Sequence, residues 1–433
     1  MNNLPAGWIQ TTFGQIAEVR LGRQRSPKTH SGWNMRPYLR AANVKWEGLA
    51  LQDVKEMHFE PTEVETYKLA PGDVVVAEAS GSRDQVGKPA IWRGEITDCC
   101  FQNTLLRVRS RGPLPEYLLH YLRAEAAAGR LGEAARGVGI HHLGAAGLSE
   151  YPIRLPPLAE QRGIVAAIEE QLSRLDAAKQ LLDSSRWKVT RLRRSLIAEV
   201  ANGDWSEKTV GDVASLCDGP FGSNLKTSHY VESGPRVVRL QNIGEGYFRD
   251  EKAHIGEKHF ETLAKHAVRP GDVVVASLGD EAPRACLIPS WLGPAIVKAD
   301  CVRLRVTAEV EPAFLMWVLN SEPVRAQAAK RIRGIGRPRL GLGGIRDLVI
   351  AVPPREEQRR LVSRIERCIS ILGALQLSME RAVIRGDQLR HGLLGLAFSG
   401  RLLPQDPTDE PALALMTRTG RPRQMQPNLD GGD

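Results

Sequence analysis

The chain contains two copies of one unit, and this repeat constrains its fold more than any other feature. The segment LPPLAEQR at residues 155–162 returns as VPPREEQR at residues 352–359. Pro156 corresponds to Pro353, an offset of 197 residues that also aligns Trp8 with Trp205. A repeat of this length indicates two copies of a domain followed by a connector, since solenoid repeats are much shorter.

Composition sets the broad class of the protein. A chain of 433 residues has room for two domains with their own cores. Hydrophobic residues make up 42% and charged residues 25%, which is typical of a soluble globular protein. The net charge of +9 comes with many arginines, whose guanidinium groups match phosphates and guanine edges. The charge favours a nucleic-acid partner, with a basic protein that has no polyanionic partner as the alternative.

Cysteine spacing and hydropathy exclude several classes. The six cysteines show no CxxC pair and no neighbouring paired histidines, so neither a metal site nor a disulfide framework is expected. The N-terminus lacks the basic and apolar segments of a signal peptide. No stretch approaches the roughly 20 apolar residues that span a bilayer. We therefore expect a cytoplasmic protein with no membrane partner.

The globular part of each copy is predicted to be α+β, because strand and helix patterns occur without regular alternation. Val74–Ala77 and Val273–Ala276 are β-branched runs that follow Pro-Gly-Asp turns. Proline-initiated helices are predicted at residues 115–122 and 312–319. The predicted boundaries are globular domains at 1–154 and 204–351, helical connectors at 155–203 and 352–403, and a disordered tail at 404–433.

Both connectors carry a seven-residue apolar repeat, which indicates that the two helices pack on each other as a coiled coil. A helix over residues 158–200 would be on the order of 65 Å long. Two independent surface helices are the alternative, and Gly386 interrupts the second repeat, where it suggests a kink. The predicted seam residues are Ile168, Leu175, Leu182, Val189, Leu196, Ile365, Leu372, Met379 and Leu393.

Signatures of catalysis are not found in the sequence. The segment from Gly81 to Lys88 differs from a phosphate-binding loop in length and ends before proline. Asp73 and Glu78 lack the lysine of a metal-dependent nuclease, and Ser277 replaces the glutamate in the second copy, so Asp73 is interpreted as a turn residue. The aromatic Pro-Pro motif of amino-methyltransferases does not occur. We therefore expect a chain without catalytic activity of its own.

Candidate DNA-contacting residues lie in loops that follow predicted strands and in basic, glycine-rich segments. Arginine can bind guanine through two hydrogen bonds, and glutamine or asparagine can do the same with adenine. For any one of these residues, an ordinary surface role is an equally good interpretation. The candidates are Arg23, Arg25, Lys28, Arg40, Asn43, Ser80, Ser82, Arg83, Gln85, Arg136, His141, Ser223, Asn224, Lys226, Arg239, Gln241, Asn242, Ser277, Asp280, Arg284, Arg333, Arg337 and Arg339.

The two copies agree best at the helix entrances, the Pro-Gly-Asp turns and the glycine-rich segments at residues 137–147 and 334–344, and they differ in the loops between. Two domains that share one scaffold and recognise different DNA sequences would show this pattern.

The doubled arrangement resembles the specificity (S) subunit of type I restriction–modification systems. The features that carry the resemblance are the two Pro-Pro-x-x-Glu-Gln-Arg motifs, each opening a long helix after a glycine-rich segment, and it covers the chain to about residue 403. It implies two target recognition domains that read the halves of a split site in double-stranded DNA. It also implies an antiparallel coiled coil of the two helices, whose length sets the gap between the half-sites.

The resemblance further implies partner subunits and their cofactors. Two methyltransferase (M) subunits, using S-adenosylmethionine, would dock on the helices, and restriction (R) subunits would supply ATP- and magnesium-dependent cleavage. The predicted partner-binding residues are Glu160, Gln161, Arg162, Glu357, Gln358 and Arg359. No cofactor is expected on this chain itself. The alternatives are a coiled-coil scaffold without sequence-specific DNA binding and a fused enzyme fragment.

Overall fold

The structure is a computed structural model that describes residues 4–27, 30–80, 82, 85–135, 141–279, 282–334 and 338–419. Its described residues form two compact units. The first comprises residues up to Gln180 together with those from Ala382 onward, and the second comprises Leu181–Arg381. The boundary falls inside both long helices, so each unit contains one globular part and one segment of each helix.

The elements of the first copy occur in mixed order along the chain. They are β1 Ile9–Thr12, α1 Phe13–Ile16, β2 Ala17–Leu21, β3 Met35–Leu39, β4 Val44–Lys45, β5 Gly48–Leu49, β6 Lys55–His58, α2 Pro61–Tyr67, β7 Val74–Ala77, β8 Ala79–Ser80, β9 Pro89–Ile91, β10 Cys100–Phe101, β11 Leu105–Ser110, α3 Pro115–Ala127, α4 Arg130–Ala134, β12 His141–His142, α5 Ala145–Glu150, β13 Pro152–Leu155 and α6 Leu158–Glu199.

The second copy repeats this order with fewer short strands. Its elements are β14 Ser206–Thr209, α7 Val210–Val213, β15 Ala214–Asp218, β16 Tyr230–Val238, β17 His254–Ile255, α8 Glu257–Thr262, β18 Ala267–Val268, β19 Val273–Ala276, β20 Arg284–Leu287, β21 Ala295–Val297, β22 Cys301–Val306, α9 Pro312–Leu319, α10 Glu322–Ala329, α11 Leu342–Arg346, β23 Val349–Val352 and α12 Arg355–Phe398, followed by α13 Ala412–Thr419.

Each copy is built on one four-stranded antiparallel sheet. The strand order is β2-β11-β7-β9 in the first copy and β15-β22-β19-β20 in the second. Registers also match, since Leu105 lies opposite Ala77 and Cys301 lies opposite Ala276. The valines of β7 and β19 are fully buried, as their β-branched runs predict. The α+β tandem fold predicted from the sequence is therefore confirmed.

A second small sheet extends each copy in the same way. Its order is β10-β3-β6 in the first copy and β17-β16-β21-β18 in the second. In both, the central strand has one parallel neighbour: β10 pairs in parallel with β3, and β21 pairs in parallel with β16. The C-terminal ends of these parallel strands therefore lie at the same edge.

The aspartates of the two Pro-Gly-Asp turns are structural. Asp73 accepts a hydrogen bond from the Ala70 amide at 2.8 Å and two from the Arg109 guanidinium at 2.7 Å. Asp272 binds Arg305 in the same bidentate way, at 2.9 and 2.8 Å. Because a buried carboxylate needs such partners, these contacts account for the aspartates, as the turn interpretation of Asp73 predicts.

The repeated motif at the helix entrances joins each long helix to its own globular part. The Gln161 side chain is fully buried; it accepts a hydrogen bond from the Leu114 amide at 2.9 Å and donates one to the Pro156 carbonyl at 2.9 Å. Gln358 repeats this geometry with the amide of Glu311 at 2.8 Å and the Pro353 carbonyl at 2.8 Å. These two glutamines, predicted to bind a partner, present no exposed side chain for one.

The other four predicted partner-binding residues vary in exposure. Arg162 and Arg359 are exposed, and Arg359 lies 2.6 Å from the carboxylate of Glu311. Glu357 is partly exposed beside Arg360. Glu160 is buried and accepts a hydrogen bond from the Trp8 indole at 2.8 Å, and burial raises the pKa of its carboxyl group. Of the six, Arg162 and Arg359 offer the most accessible side chains.

The two long helices run antiparallel in each unit. In the first unit, Asp176 of α6 pairs with Arg390 of α12. In the second unit, Arg186 lies 3.7 Å from Glu380, and Glu199 lies 3.0 Å from Arg364. As residue numbers rise along α6, those of the contacting residues on α12 fall, so the antiparallel arrangement holds. Gly386 lies inside the continuous helix α12.

The predicted seam residues fall into three packing groups. Val189, Leu372 and Met379 form a buried cluster against Leu182 and Leu196 in the second unit. Ile365 joins the core of the second globular part, and Ile168 joins the core of the first. Leu175 and Leu393 are partly exposed. The seam therefore continues at its ends into the cores of the globular parts.

Residues 404–419 differ from the predicted disordered tail. Within them, α13 packs on the first unit, where the Ala412 amide donates to the Gly7 carbonyl at 3.0 Å and Ala412 is buried. Met416 packs against the same core, and the Gln405 side chain donates to Glu160 at 3.3 Å. The proline count pointed to disorder, but the apolar residues between the prolines offer enough surface to bury. Residues 420–433 lie outside the described residues.

Within the described residues, no helix combines the length and apolar composition needed to cross a membrane.

Candidate nucleic-acid interface

Strand topology brings five loop segments of each copy to one edge, which we call the loop platform. In an antiparallel sheet with the order β2-β11-β7, the C-terminal ends of β2 and β7 lie beside the N-terminal end of β11. The C-terminal end of β3 reaches the same edge through its parallel neighbour β10. The platform of the first copy comprises residues 22–25, 40–43, 78–80, 102–104 and 141–143, and that of the second comprises 219–224, 239–242, 277–279, 298–300 and 338–340.

Four backbone hydrogen bonds fix the platform, and they are the same in both copies. In the first copy they are Gly22 N to Leu105 O at 3.0 Å, Gln102 N to Leu39 O at 2.9 Å, Glu78 N to Thr104 O at 3.0 Å and Leu143 N to Glu78 O at 2.9 Å. In the second they are Gly219 N to Cys301 O at 3.2 Å, Lys298 N to Val238 O at 2.8 Å, Ser277 N to Asp300 O at 2.9 Å and Leu340 N to Ser277 O at 2.8 Å. The two platforms therefore share one backbone scaffold, although many of their side chains differ.

Residues 141–143 and 338–340, which are described parts of the glycine-rich segments, belong to this platform, although they are distant in sequence from its other segments. His141 pairs with Ser80 in the short β8–β12 ladder. In the second copy, Arg339 forms a β-bridge with Leu278. The structure therefore brings together candidates that the sequence could only treat as separate segments.

Three of the predicted DNA-contacting residues are internal. Asn43 is 2% exposed; its side chain accepts a hydrogen bond from the Arg40 amide and donates to the carbonyls of Ala50 and Asp53. Asn242 repeats these contacts in the second copy. Ser277 is fully buried and donates to the Asp300 carbonyl. These side chains shape the platform and are occupied within it.

Two arginines of the first platform are held by carboxylates. The Arg23 guanidinium lies 2.9 Å from Glu63, and the Arg40 guanidinium lies 2.5 Å from Asp53. The pKa of the Asp53 carboxyl group lies below its ordinary value, first because Lys55 donates a hydrogen bond to it and then because of the charges of Lys55 and Arg40. The partner of Arg40 is therefore ionised. Both arginines are oriented at the edge of the sheet, with part of their charge compensated.

The second platform is more basic. Its Arg339 stacks on the Phe221 ring at 4.5 Å and lies 3.0 Å from Asp300. A cleft of about 800 Å³ beside it is lined by Lys330, Arg331, Arg333 and Arg339, with Asp218 and Asp347 as the acidic residues. This concentration of cations suits a phosphate backbone.

Two further residues of the second platform, Lys298 and Phe221, were not predicted from the sequence. Lys298 follows the apolar strand β21 and lies 5.5 Å from the ring of Tyr230. Its position after a strand was a usable signal. Phe221 lies in a Gly-Pro-Phe-Gly segment, whose aromatic residue in a turn was also visible in the sequence.

The first platform has a histidine–carboxylate pair without a counterpart in the second copy. Nδ1 of His142 lies 3.0 Å from the carboxylate of Glu78, which is 8% exposed, while the histidine side chain is 55% exposed. Ser277 stands at the corresponding position in the second copy. The two edges therefore carry different chemistry on the same scaffold.

The remaining predicted residues divide by exposure. Exposed are Arg25, Ser82, Asn224, Lys226, Gln241 and Arg333; partly exposed are Ser80, Gln85, His141, Arg239, Arg284 and Arg339. Lys28, Arg83, Arg136, Asp280 and Arg337 lie outside the described residues, as does the side chain of Ser223. Gln241 accepts hydrogen bonds from the Arg239 guanidinium, which makes a paired donor–acceptor group at the edge.

One group of possible metal ligands occurs among the described residues, where the sequence predicted none. Cys217, Asp218 and His266 bring one ligand atom each within 4.8 Å of one another. Nδ1 of His266, however, lies 2.5 Å from the carbonyl oxygen of Asp218, and burial, followed by the charges of Lys265 and Arg303, lowers the pKa of the imidazole. The neighbouring guanidinium and the occupied nitrogen make this a poor site for a cation.

Comparisons with known proteins agree with this architecture. The chain is 22% identical over 440 residues to the StySPI specificity subunit of a type I restriction enzyme from Salmonella potsdam, covering 95% of this chain and 92% of that protein. No protein-family profile matches the chain.

Two solved structures share the fold. One chain, from a structure of complex assembly and conformational transition in a type I restriction–modification system, superposes with a TM-score of 0.74 at 20% identity, over 92% of this chain and all of that one. The HsdS subunit of Thermoanaerobacter tengcongensis superposes with a TM-score of 0.58 at 20% identity, over 92% of this chain and 98% of that one. The resemblance predicted from the repeated motifs is confirmed.

Proposed function

We propose that this chain is the DNA sequence-recognition subunit of a type I restriction–modification complex, the class of protein that it resembles along its length. The observation that carries the proposal is the pair of loop platforms, which have the same backbone hydrogen bonds and different side chains. Two platforms of this kind suit a DNA site made of two different half-sequences.

Within each platform, we assign two kinds of DNA contact. The basic cleft at Arg331, Arg333 and Arg339 binds phosphates and sets the register on the duplex. Exposed donors and acceptors at the edge, such as Gln241 in the second copy and Ser82 in the first, select bases in the major groove. Recognition by the first copy also uses the partly exposed Ser80 and His141.

An exposed apolar side of the helix pair offers a docking surface for a methyltransferase subunit. In the second unit, Leu192 lies three residues after the seam residue Val189, and Leu375 lies three residues after the seam residue Leu372. Ile371 directly precedes Leu372. These offsets place all three side chains on the same side of the antiparallel helix pair. They are 50%, 42% and 67% exposed. Ile197 packs into the globular core from the other side of the seam, so the apolar side is free.

The first unit carries its own apolar residues on the corresponding side of α12, namely Leu389 and Leu396, which are 55% and 41% exposed. One such surface per unit supports two methyltransferase subunits per chain. These partners would supply S-adenosylmethionine, and restriction subunits would supply ATP and magnesium chemistry. The chain itself is non-catalytic in this proposal and acts in the cytoplasm, where its DNA is.

Replacing Leu192 and Leu375 together with glutamate is expected to weaken retention of the methyltransferase at least about tenfold, because each buried leucine contributes roughly 1.5–3 kcal/mol. The measurement is co-purification and titration with a type I methyltransferase subunit from the same organism. Trp187→Glu is the matched control, since Trp187 is 63% exposed on the far side of α6. If Trp187→Glu releases the methyltransferase while the double variant retains it, the docking surface does not lie on the side of the helix pair that carries Leu192 and Leu375.

The proposed function is tested by mapping adenine methylation across a genome in cells that express the methyltransferase with and without this chain. A split motif that appears only with the chain is the expected result. An active methyltransferase that yields no chain-dependent motif would favour the scaffold alternative, in which the helices assemble proteins without DNA recognition.

A further inference from the structure

A three-way ion pair connects a long helix with the loops of the second platform. The carboxylate of Glu245 lies 2.8 Å from the Arg325 guanidinium on α10 and 3.4 Å from that of Arg193 on α6. Arg193 also donates to the backbone carbonyl of Glu245 at 2.9 Å. We call this group the Glu245 joint. Its three side chains are 26%, 16% and 23% exposed, so the ion pairs are largely shielded from solvent.

The segment that carries Glu245 is rigidly connected to the platform. It follows directly after the Arg239–Asn242 turn, and the Asn242 side chain closes it by donating to the carbonyls of Arg249 and Glu251, at its far end, at 2.8 Å. The Gly246 amide donates to Ala285 of β20 at 2.9 Å. A Cβ atom at Gly246 would lie 2.2 Å from the Trp317 ring, so this close approach requires glycine.

A second connection runs from the joint to the loop after β19. Nε of Arg325 donates to the Pro283 carbonyl at 3.3 Å, and Pro283 directly precedes β20. Arg325 therefore contacts both the Glu245 carboxylate and the residue that precedes β20. Through Glu245 and Arg325, α6 is linked to the segment that follows the Arg239–Asn242 turn and to the start of β20.

The first copy has no such ion pair at the corresponding positions. Trp46 stands in the place of Glu245 and packs against the first core, and Ala128 stands in the place of Arg325. Arg390 corresponds to Arg193 and pairs with Asp176. Both copies share apolar cores with the long helices, and the second copy adds this ion pair, which has no counterpart at the corresponding positions of the first.

We propose that the Glu245 joint fixes the orientation of the second recognition domain on α6 and thereby makes the gap between the half-sites unique. This inference rests on the proposed function. Glu245 and Arg193 are positioning residues that act through the platform. Loosening the joint is expected to let the second domain reach half-sites that lie one base pair nearer or farther.

The test uses the complete complex of this chain with its methyltransferase, on a set of duplexes that share both half-sites and differ only in the gap. In Glu245→Gln, preference for the native gap over gaps one base pair longer or shorter is expected to fall roughly tenfold. Arg193→Met, which retains the Glu245–Arg325 pair, is expected to show the same loss of preference. Glu309→Gln, which breaks an exposed pair with Lys208 in the same unit, is the control.

A merely structural role would lower methylation equally at every gap, because fewer folded molecules would act with unchanged geometry. Equal loss at all gaps in both variants, or an unchanged preference in both, would overturn the inference. Absence of any split motif for the unaltered chain in the same assay would instead refute the proposed function.

Discussion

Deleting residues 178–184 from α6 and 382–388 from α12 together is expected to abolish methylation at native sites and to create a new site with the same half-sequences and a shorter gap. Seven residues of helix correspond to about 10.5 Å, which is on the order of three base-pair steps. Seven residues of α-helix fall only about 20° short of two full turns, so the apolar seam stays in register after the deletion. The Asp176–Arg390 and Arg186–Glu380 pairs flank the deletion and remain available.

The measurement is adenine methylation mapping with the deletion variant and its methyltransferase. The matched control replaces the other positions of 178–184 and 382–388 with alanine-rich sequence, keeps Leu182, and preserves the length of both helices. It should methylate native sites. New half-sequences with an unchanged gap in the deletion variant would contradict the proposal that the helices set the gap, and would assign the gap to the recognition domains instead.

Local features of the fold could be predicted because their physical causes lie close together in the sequence. The runs Val74–Ala77 and Val273–Ala276 became strands because each follows a turn in which an aspartate binds its own loop. The heptads predicted one helix at 158–200, and α6 spans Leu158–Glu199. In each case the signal is either local or recurs at a short fixed spacing along the chain.

Features that depend on distant partners could not be predicted. Asn43 follows a predicted strand beside Arg40, so it was assigned to DNA, but its side chain donates to the carbonyls of Ala50 and Asp53 inside the protein. Lys298 follows an apolar strand, which the sequence shows, but only the pairing of β21 with β16 shows which edge it joins. The Glu245 joint connects residues 52 and 80 positions apart, and no periodicity signals it.

The comparison between copies partly replaces that missing long-range information. Positions that agree in both copies, such as Asn43 with Asn242 and Gln161 with Gln358, turned out to be buried scaffold. Positions that differ, such as Glu78 against Ser277, adjoin different ionic pairs at the edge. At these positions, identity between the copies coincides with buried scaffold, although the exposed Arg162 and Arg359 also agree, and difference coincides with the edge of the loop platform.

Gln161→Leu and Gln358→Leu are accordingly expected to destabilise the protein strongly rather than to remove a partner contact selectively. Each substitution leaves an amide, that of Leu114 or Glu311, and a proline carbonyl without a partner, and Gln358→Leu also removes the hydrogen bond to the Glu309 carbonyl. At about 1–3 kcal/mol for each unpaired group, the free energy of unfolding should fall by roughly 2–6 kcal/mol for two groups. Urea denaturation measures this loss, and faster hydrogen exchange at the Leu114 or Glu311 amide locates it. Arg162→Ala, which removes an exposed side chain of the same motif, should change stability by less than about 0.5 kcal/mol. If Gln161→Leu instead unfolds at the wild-type urea concentration and releases the methyltransferase, the motif binds the partner directly, and its burial here describes only the chain without that partner.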